Sequence, residues 1–160
     1  MTTIRQRAAE GLRVGDRFTI TRRFAPEEIT SFADLSRDYN PVHCDGDYAR
    51  LKGLRAPIAH GLLTASLLTE IGGQIGWLAM SMSFRFKRPV YAGETLRCDW
   101  IIRAIEEKGR AEAEIQVTND EGVIVLEAET RGVLPNEAER RRLAGMLAEG
   151  DPTNGALPRA

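Results

Sequence analysis

Apolar and polar positions follow two different periods along this chain. From residue 80 to residue 134 they largely alternate, and before that they group as helices do. Alternation places one side of a strand in a core and the other in water. Four segments show it: residues 80–87 (MSMSFRFK), 96–105 (LRCDWIIRAI), 111–118 (AEAEIQVT) and 123–134 (VIVLEAETRGVL). Residues 106–109 (EEKG) and 118–122 (TNDEG) supply polar and glycine residues suited to hairpin turns between them.

Helical spacing rules the first half. Residues 26–35 (PEEITSFADL) set Ile29, Phe32, Ala33 and Leu35 behind a proline and two glutamates. Proline fits the first helical turn, and the carboxylates complement the dipole there. This helix must stop before Pro41, because a proline disfavours helical geometry at the residue before it. Residues 45–52 suit one or two short helical turns. Residues 59–75 (AHGLLTASLLTEIGGQI) form the most apolar long segment and lack Lys and Arg, which predicts a buried helix over 61–75. Residues 12–21 (LRVGDRFTIT) predict a turn at Gly15-Asp16 and then a strand.

The order is therefore a strand, helices, one long buried helix and about four antiparallel strands, an α+β pattern in which a sheet wraps one helix. The domain is expected over residues 1–135. Residues 136–160 form a tail, with a candidate amphipathic helix in EAERRRLAGMLAE and an unstructured end in GDPTNGALPRA.

Composition narrows the class. The chain has 160 residues, 42% of them hydrophobic and 28% charged, as expected of one globular domain with a real core. Its net charge of -1 supplies no strong field toward nucleic acid or an anionic membrane. The two cysteines, Cys44 and Cys98, make no disulfide framework, so a reducing cytoplasm is expected. The start, MTTIRQRAAEGLRVGD, has no apolar signal region. No run approaches the roughly 20 apolar residues of a spanning helix.

Candidate chemistry concentrates in residues 38–45 (DYNPVHCD). Asp38, Asn40 and His43 follow a helix in a loop stiffened by Pro41. Imidazole titrates near neutral pH and suits proton transfer, and a carboxylate beside it can orient a water. Alone, the segment reads more simply as a helix-ending turn with an Asx cap and a surface histidine. A second feature changes that balance. Gly61 opens the buried helix, where backbone N–H groups are free and the dipole favours negative charge. Glycine admits a close approach to the backbone, so this N–H suits a developing oxyanion.

Together these segments resemble the MaoC-like (R)-specific enoyl-CoA hydratases. The hydratase-2 signature of that family is similar to residues 32–49 (FADLSRDYNPVHCDGDYA), matching at Phe32, Leu35, Ser36, Asp38, Asn40, Pro41, Val42, His43 and Ala49. AHG at residues 59–61 falls where the family opens its central helix. FKRPVYAGETL at residues 86–96 resembles its strand-to-strand segment. The likeness covers roughly residues 14–135. One position departs: Arg37 stands where the family usually has glycine, beside the acid of the pair.

The resemblance implies a hot-dog fold, a curved antiparallel sheet around a long central helix. It implies reversible addition of water across a trans-2-enoyl thioester, giving an (R)-3-hydroxyacyl product. Asp38 and His43 would be the catalytic pair, and the Gly61 N–H would hold the thioester oxygen. Asn40 is expected with Gly61 on the substrate-binding side of the site, though its side chain more simply holds the loop than does chemistry. The substrate is expected to be an acyl-CoA or an acyl group on acyl carrier protein. No metal and no cofactor is expected, because coenzyme A belongs to the substrate. A homodimer is expected, with the site at its interface.

Other residues are weighed against this frame. His60 is given a structural or capping role rather than that of a second base. Cys44 beside His43 lacks the ligand cluster of a zinc site. Arg85, Lys87 and Arg88 form a basic cluster suited to coenzyme A phosphates, though such clusters are commonly solvated faces. Arg140, Arg141 and Arg142 suit a solvated helix face. Trp77 and Trp100 suit a core or interface. Two rival functions remain: a thioesterase using Glu70 on the central helix, and an acyl-binding module without catalysis.

Overall fold

The structure is a computed structural model and describes residues 2–151. Five strands form one antiparallel sheet in the order β1-β3-β4-β5-β2. They are β1 (Arg17–Arg23), β2 (Leu78–Phe86), β3 (Thr95–Ile105), β4 (Arg110–Thr118) and β5 (Ile124–Val133). Each lies within a few residues of the segment that predicts it, β1 in the strand expected after the Gly15-Asp16 turn and the other four in the alternating segments. The alternation sorts the two faces. In β3, Leu96, Cys98, Trp100 and Ile102 are buried, while Arg97 and Arg103 face water. In β4, Ala111, Ala113, Ile115 and Val117 are buried in the same way.

The expected central helix is present but broken. Its pieces are α4 (Gly61–Ala65) and α5 (Leu67–Ile75), joined at Ser66. Ser66 Oγ donates to the Leu63 carbonyl at 2.6 Å, and the Ser66 N–H is shared between the carbonyls of Leu62 and Leu63. Hydroxyl-to-backbone bonds of this kind compete with the helical ladder and bend it. Leu67, Leu68, Ile71 and Ile75 of α5 are fully buried and fill the concave side of the sheet. Each such side chain contributes about 1.5–3 kcal/mol by leaving water. The two tryptophans join this core, Trp77 meeting Trp100 edge to face at 5.2 Å.

Helix α2 (Pro26–Ser36) starts at its proline, with Glu27 and Glu28 in the first turn. It ends at Arg37, whose backbone is left-handed, with φ 60 and ψ 23. Residues Pro41–His43 make a 3-10 turn, followed by α3 (Gly46–Leu51) behind its cap Asp45. Two terminal helices complete the fold. Helix α6 (Glu137–Ala148) matches the expected tail helix and packs against α1 (Ile4–Glu10). Nothing in the hydrophobic pattern predicts α1. Its signal is the capping box of Thr3 and Gln6, in which each side chain bonds the other residue's backbone N–H. The expected unstructured end falls largely outside the described residues. Among the described residues, no helix is long and apolar enough to cross a membrane.

Candidate active site

The loop between α2 and α3 is built by short polar bonds. Ser36 Oγ donates to the Phe32 carbonyl and accepts the Asp38 N–H. Asp38 Oδ1 accepts the Asn40 N–H at 3.2 Å. Asn40 Oδ1 accepts the Val42 N–H at 3.2 Å and caps the 3-10 turn. The Asn40 side chain is thus engaged by the loop itself. These bonds leave Asp38 Oδ2 directed at His43, 3.7 Å from Nε2. That is too long for a direct hydrogen bond and suits a bridging water.

The segment before α4 fixes the other end of the pair. Ile58 donates its N–H to the Val42 carbonyl, and its own carbonyl meets His43 Nδ1 at 2.8 Å. A carbonyl can only accept, so Nδ1 carries a proton, and in the neutral ring Nε2 offers a lone pair toward Asp38. The His43 side chain is 9% exposed and that of Asp38 51%. The base is therefore held in the wall and the acid stands at the opening.

Both face an open cleft of about 520 Å³. Gly61, Leu54 and Ile58 line it with Leu62, Phe86 and Val125, and Lys87 and Arg88 stand along it. Among the described residues, no acceptor meets the Gly61 N–H at the start of α4. A Cβ on Gly61 would sit 2.8 Å from the half-exposed Phe86 ring, so any side chain there requires that ring to shift. Gly61, from a separate segment, thus lines one cavity with Asp38 and His43. A second hollow of about 550 Å³ lies on the outer face of the sheet. Its charges are largely matched to each other, as in Arg103–Glu114 at 2.7 Å, which is how a solvated sheet face behaves.

The remaining candidates divide. The basic cluster splits: Arg85 and Lys87 both reach Glu127, but Lys87 and Arg88 line the cleft and Arg85, also near Glu129, does not. Glu70 does not line the cleft either; it faces Arg22 at 3.8 Å. Arg37 makes no ion pair among the described residues, so its effect is on the backbone. Cys44 is exposed.

His60 has the structural role expected of it rather than the capping one, but its place against His43 is not legible in the sequence. It occupies the cap position of α4, yet its side chain makes no capping bond. It is 1% exposed and stacks on His43, with centroids 3.7 Å apart and planes 25° from parallel. Its one sequence signal is a histidine set inside the most apolar segment of a chain with two histidines. Asp38, His43 and His60 offer ligand atoms within 4.8 Å of one another. Stacked rings, however, hold their in-plane lone pairs side by side rather than converging on one point. The set therefore does not fit the tetrahedral or octahedral shells of common protein metals.

Comparison with known proteins bears on family and fold. The family model described as MaoC like domain matches residues 6–125. The chain is 32% identical over 133 residues to the (R)-specific enoyl-CoA hydratase of Aeromonas caviae, covering 80% of this chain and 99% of that one. It is also 32% identical over 133 residues to a mitochondrial 3-hydroxyacyl-[acyl-carrier-protein] dehydratase of Arabidopsis thaliana, covering 78% and 79%. The structure of the A. caviae (R)-hydratase involved in PHA biosynthesis superposes with a TM-score of 0.73, at 31% identity over 79% of this chain and 99% of that chain. The R-hydratase PhaJ1 of Pseudomonas aeruginosa gives 0.74, at 29% identity over 81% and 86%. With its antiparallel sheet wrapped on the α4–α5 helix, the chain has the hot-dog fold and belongs to the MaoC-like domain family of hydratases and dehydratases.

Proposed function

We propose that this protein is a hydro-lyase that reversibly hydrates trans-2-enoyl thioesters to (R)-3-hydroxyacyl thioesters. The observation that carries this reading is the spacing of Asp38 Oδ2 and His43 Nε2, 3.7 Å apart, at the cleft that Gly61 lines. Both atoms accept hydrogen bonds. One water between them donates a hydrogen bond to each, which turns its lone pair outward toward C3 of a bound enoyl group. Attack at C3 moves the double-bond electrons toward the thioester carbonyl. The Gly61 N–H stabilises the charge that develops on the carbonyl oxygen. The proton taken from the water by the pair is then returned to C2. The thioester is the electron sink, so this scheme needs neither metal nor redox cofactor. The rim cations Lys87 and Arg88 suit the phosphates of a coenzyme A thioester.

A homodimer completes the proposal. Along β2 the apolar series Leu78, Met80, Met82 and Phe86 extends past the cover of the helix, with Leu78 71% and Phe86 55% exposed. An uncovered apolar edge strand invites a second copy. The opposite edge, β1, carries exposed Arg17, Arg22 and Arg23 instead. Phe86 sits both on the β2 edge and in the cleft wall, so a partner there would border the site.

The thioesterase reading loses support because Glu70 is paired with Arg22 and outside the cleft. The test is loss of enoyl-thioester absorbance with crotonyl-CoA, comparing wild type with Asp38→Asn and His43→Asn. Hydration by wild type alone, giving the (R) product, supports the assignment. Release of free thiol instead would promote the thioesterase, and inertness across short and medium chains would promote the binding module.

A further inference from the structure

The two histidines of this chain do different work. His43 faces the cleft, and His60 lies behind it, 1% exposed. His60 Nε2 is 3.0 Å from the backbone carbonyl of Asp38. The carbonyl can only accept, so Nε2 carries the proton. Nδ1 is buried with no partner. Leaving a polar atom unpaired in a core is unfavourable, and a purely apolar side chain of the same shape would avoid it. Two contacts distinguish His60 from such a side chain. Its donor holds the Asp38 backbone, and its flat face holds the His43 ring at 3.7 Å, with Phe32 packed at 5.0 Å. His60 is also covalently joined to Gly61.

We infer that His60 is a positioning residue that joins the acid, the base and the oxyanion donor of this site into one unit. This rests on the hydratase reading above. The carboxylate of Asp38 is half-exposed and held locally by one Asx bond, so its backbone needs an anchor in the core. The His43 ring is held at one nitrogen by Ile58, which leaves rotation about that bond for the stack to restrain. His60 supplies both restraints and touches no part of the cleft itself.

The variants separate the two contacts. His60→Gln keeps an amide donor for the Asp38 carbonyl and loses the flat ring. His60→Phe keeps a ring of similar bulk and loses the donor. Each lowers kcat for crotonyl-CoA at least about tenfold, because small displacements of reacting groups cost rate steeply. KM stays within about twofold, because substrate contacts are untouched. Thermal unfolding identifies any variant that fails to fold, and the Phe variant preserves core volume. A folded His60→Phe with wild-type kcat, or one whose loss lies in KM, overturns the inference.

A second readout does not depend on turnover. With two histidines in the chain, imidazole nitrogen NMR resolves each ring. Wild type should show His60 as the Nε2–H tautomer and His43 as a single Nδ1–H tautomer. In His60→Gln the His43 nitrogens should move toward averaged shifts. If wild type hydrates nothing, the functional reading fails, while the positioning of His43 by His60 still stands or falls on this spectrum. An unchanged His43 spectrum in His60→Gln sinks it.

Discussion

Arg5 and Asp151, near the two ends of the described chain, meet in an ion pair of 2.8 Å that is buried at both partners, with side chains 9% and 4% exposed. Arg5 also donates to the Gly73 carbonyl of α5 at 3.2 Å. The terminal segments are thereby pinned to the far end of the central helix. Removing one partner of a buried pair strands the other charge. Asp151→Ala should therefore cost about 3 kcal/mol. For a chain of this size that lowers the unfolding temperature by about 6–12 °C. Calorimetry of the variant against wild type checks this, and an unchanged midpoint would show that Gly73 and solvent suffice for Arg5.

Arg37 occupies a left-handed backbone position at the end of α2, with φ 60. A non-glycine residue there costs about 1–2 kcal/mol, part of which glycine returns through its freer unfolded chain. Arg37→Gly should raise stability by about 0.5–1 kcal/mol. Chemical denaturation measures it. A loss of stability would mean that the arginine side chain makes a compensating contact.

Gly61 and Phe86 touch so closely that a methyl on Gly61 would sit 2.8 Å from the ring. Gly61→Ala should lower kcat about 100-fold, the scale of losing one oxyanion donor. Adding Phe86→Ala removes the clash with the ring but leaves the methyl beside the N–H proposed to hold the thioester oxygen. Activity should stay low in the double variant. Recovery would assign the defect to a displaced Phe86 instead.

Cys98 is buried, and burial, with Asp99 and Glu70 nearby, pushes its thiol from 9.0 up to about 12. Between those values the unfolded chain binds fewer protons, so stability falls as pH rises through that window and is unaffected below it. Cys98→Ala should show a shallower alkaline loss of stability than wild type. A thiol reagent near pH 8 should label the exposed Cys44 promptly and Cys98 only after unfolding. Rapid labelling of both would contradict the burial.

The β2 edge carries the proposed dimer. Met80→Lys combined with Met82→Lys places charges on exposed positions of that edge, so the monomer fold should persist. Light scattering should show the mass halve. A variant that remains a dimer would mean that another surface is used, and a monomeric wild type would overturn the dimer itself.

Sequence periodicity by itself determined the strands, α2, the helical character of residues 61–75 and the order in which they occur. Alternation and helical spacing are local properties, written in neighbouring residues. The same holds for the Asp38–His43 loop, whose Asx bonds and Pro41 turn close within a few positions. What only the tertiary structure decided is which distant residues hold that loop. Ile58 reaches His43 across 15 positions, and His60 reaches Asp38 across 22. The pair is thus not positioned by its own segment alone. Packing likewise separated Arg85 from Lys87 and Arg88 and turned Glu70 toward Arg22. It also set α6 on α1. These outcomes depend on how the sheet curves over the helix, and no local pattern of residues encodes a contact between segments that meet only after folding.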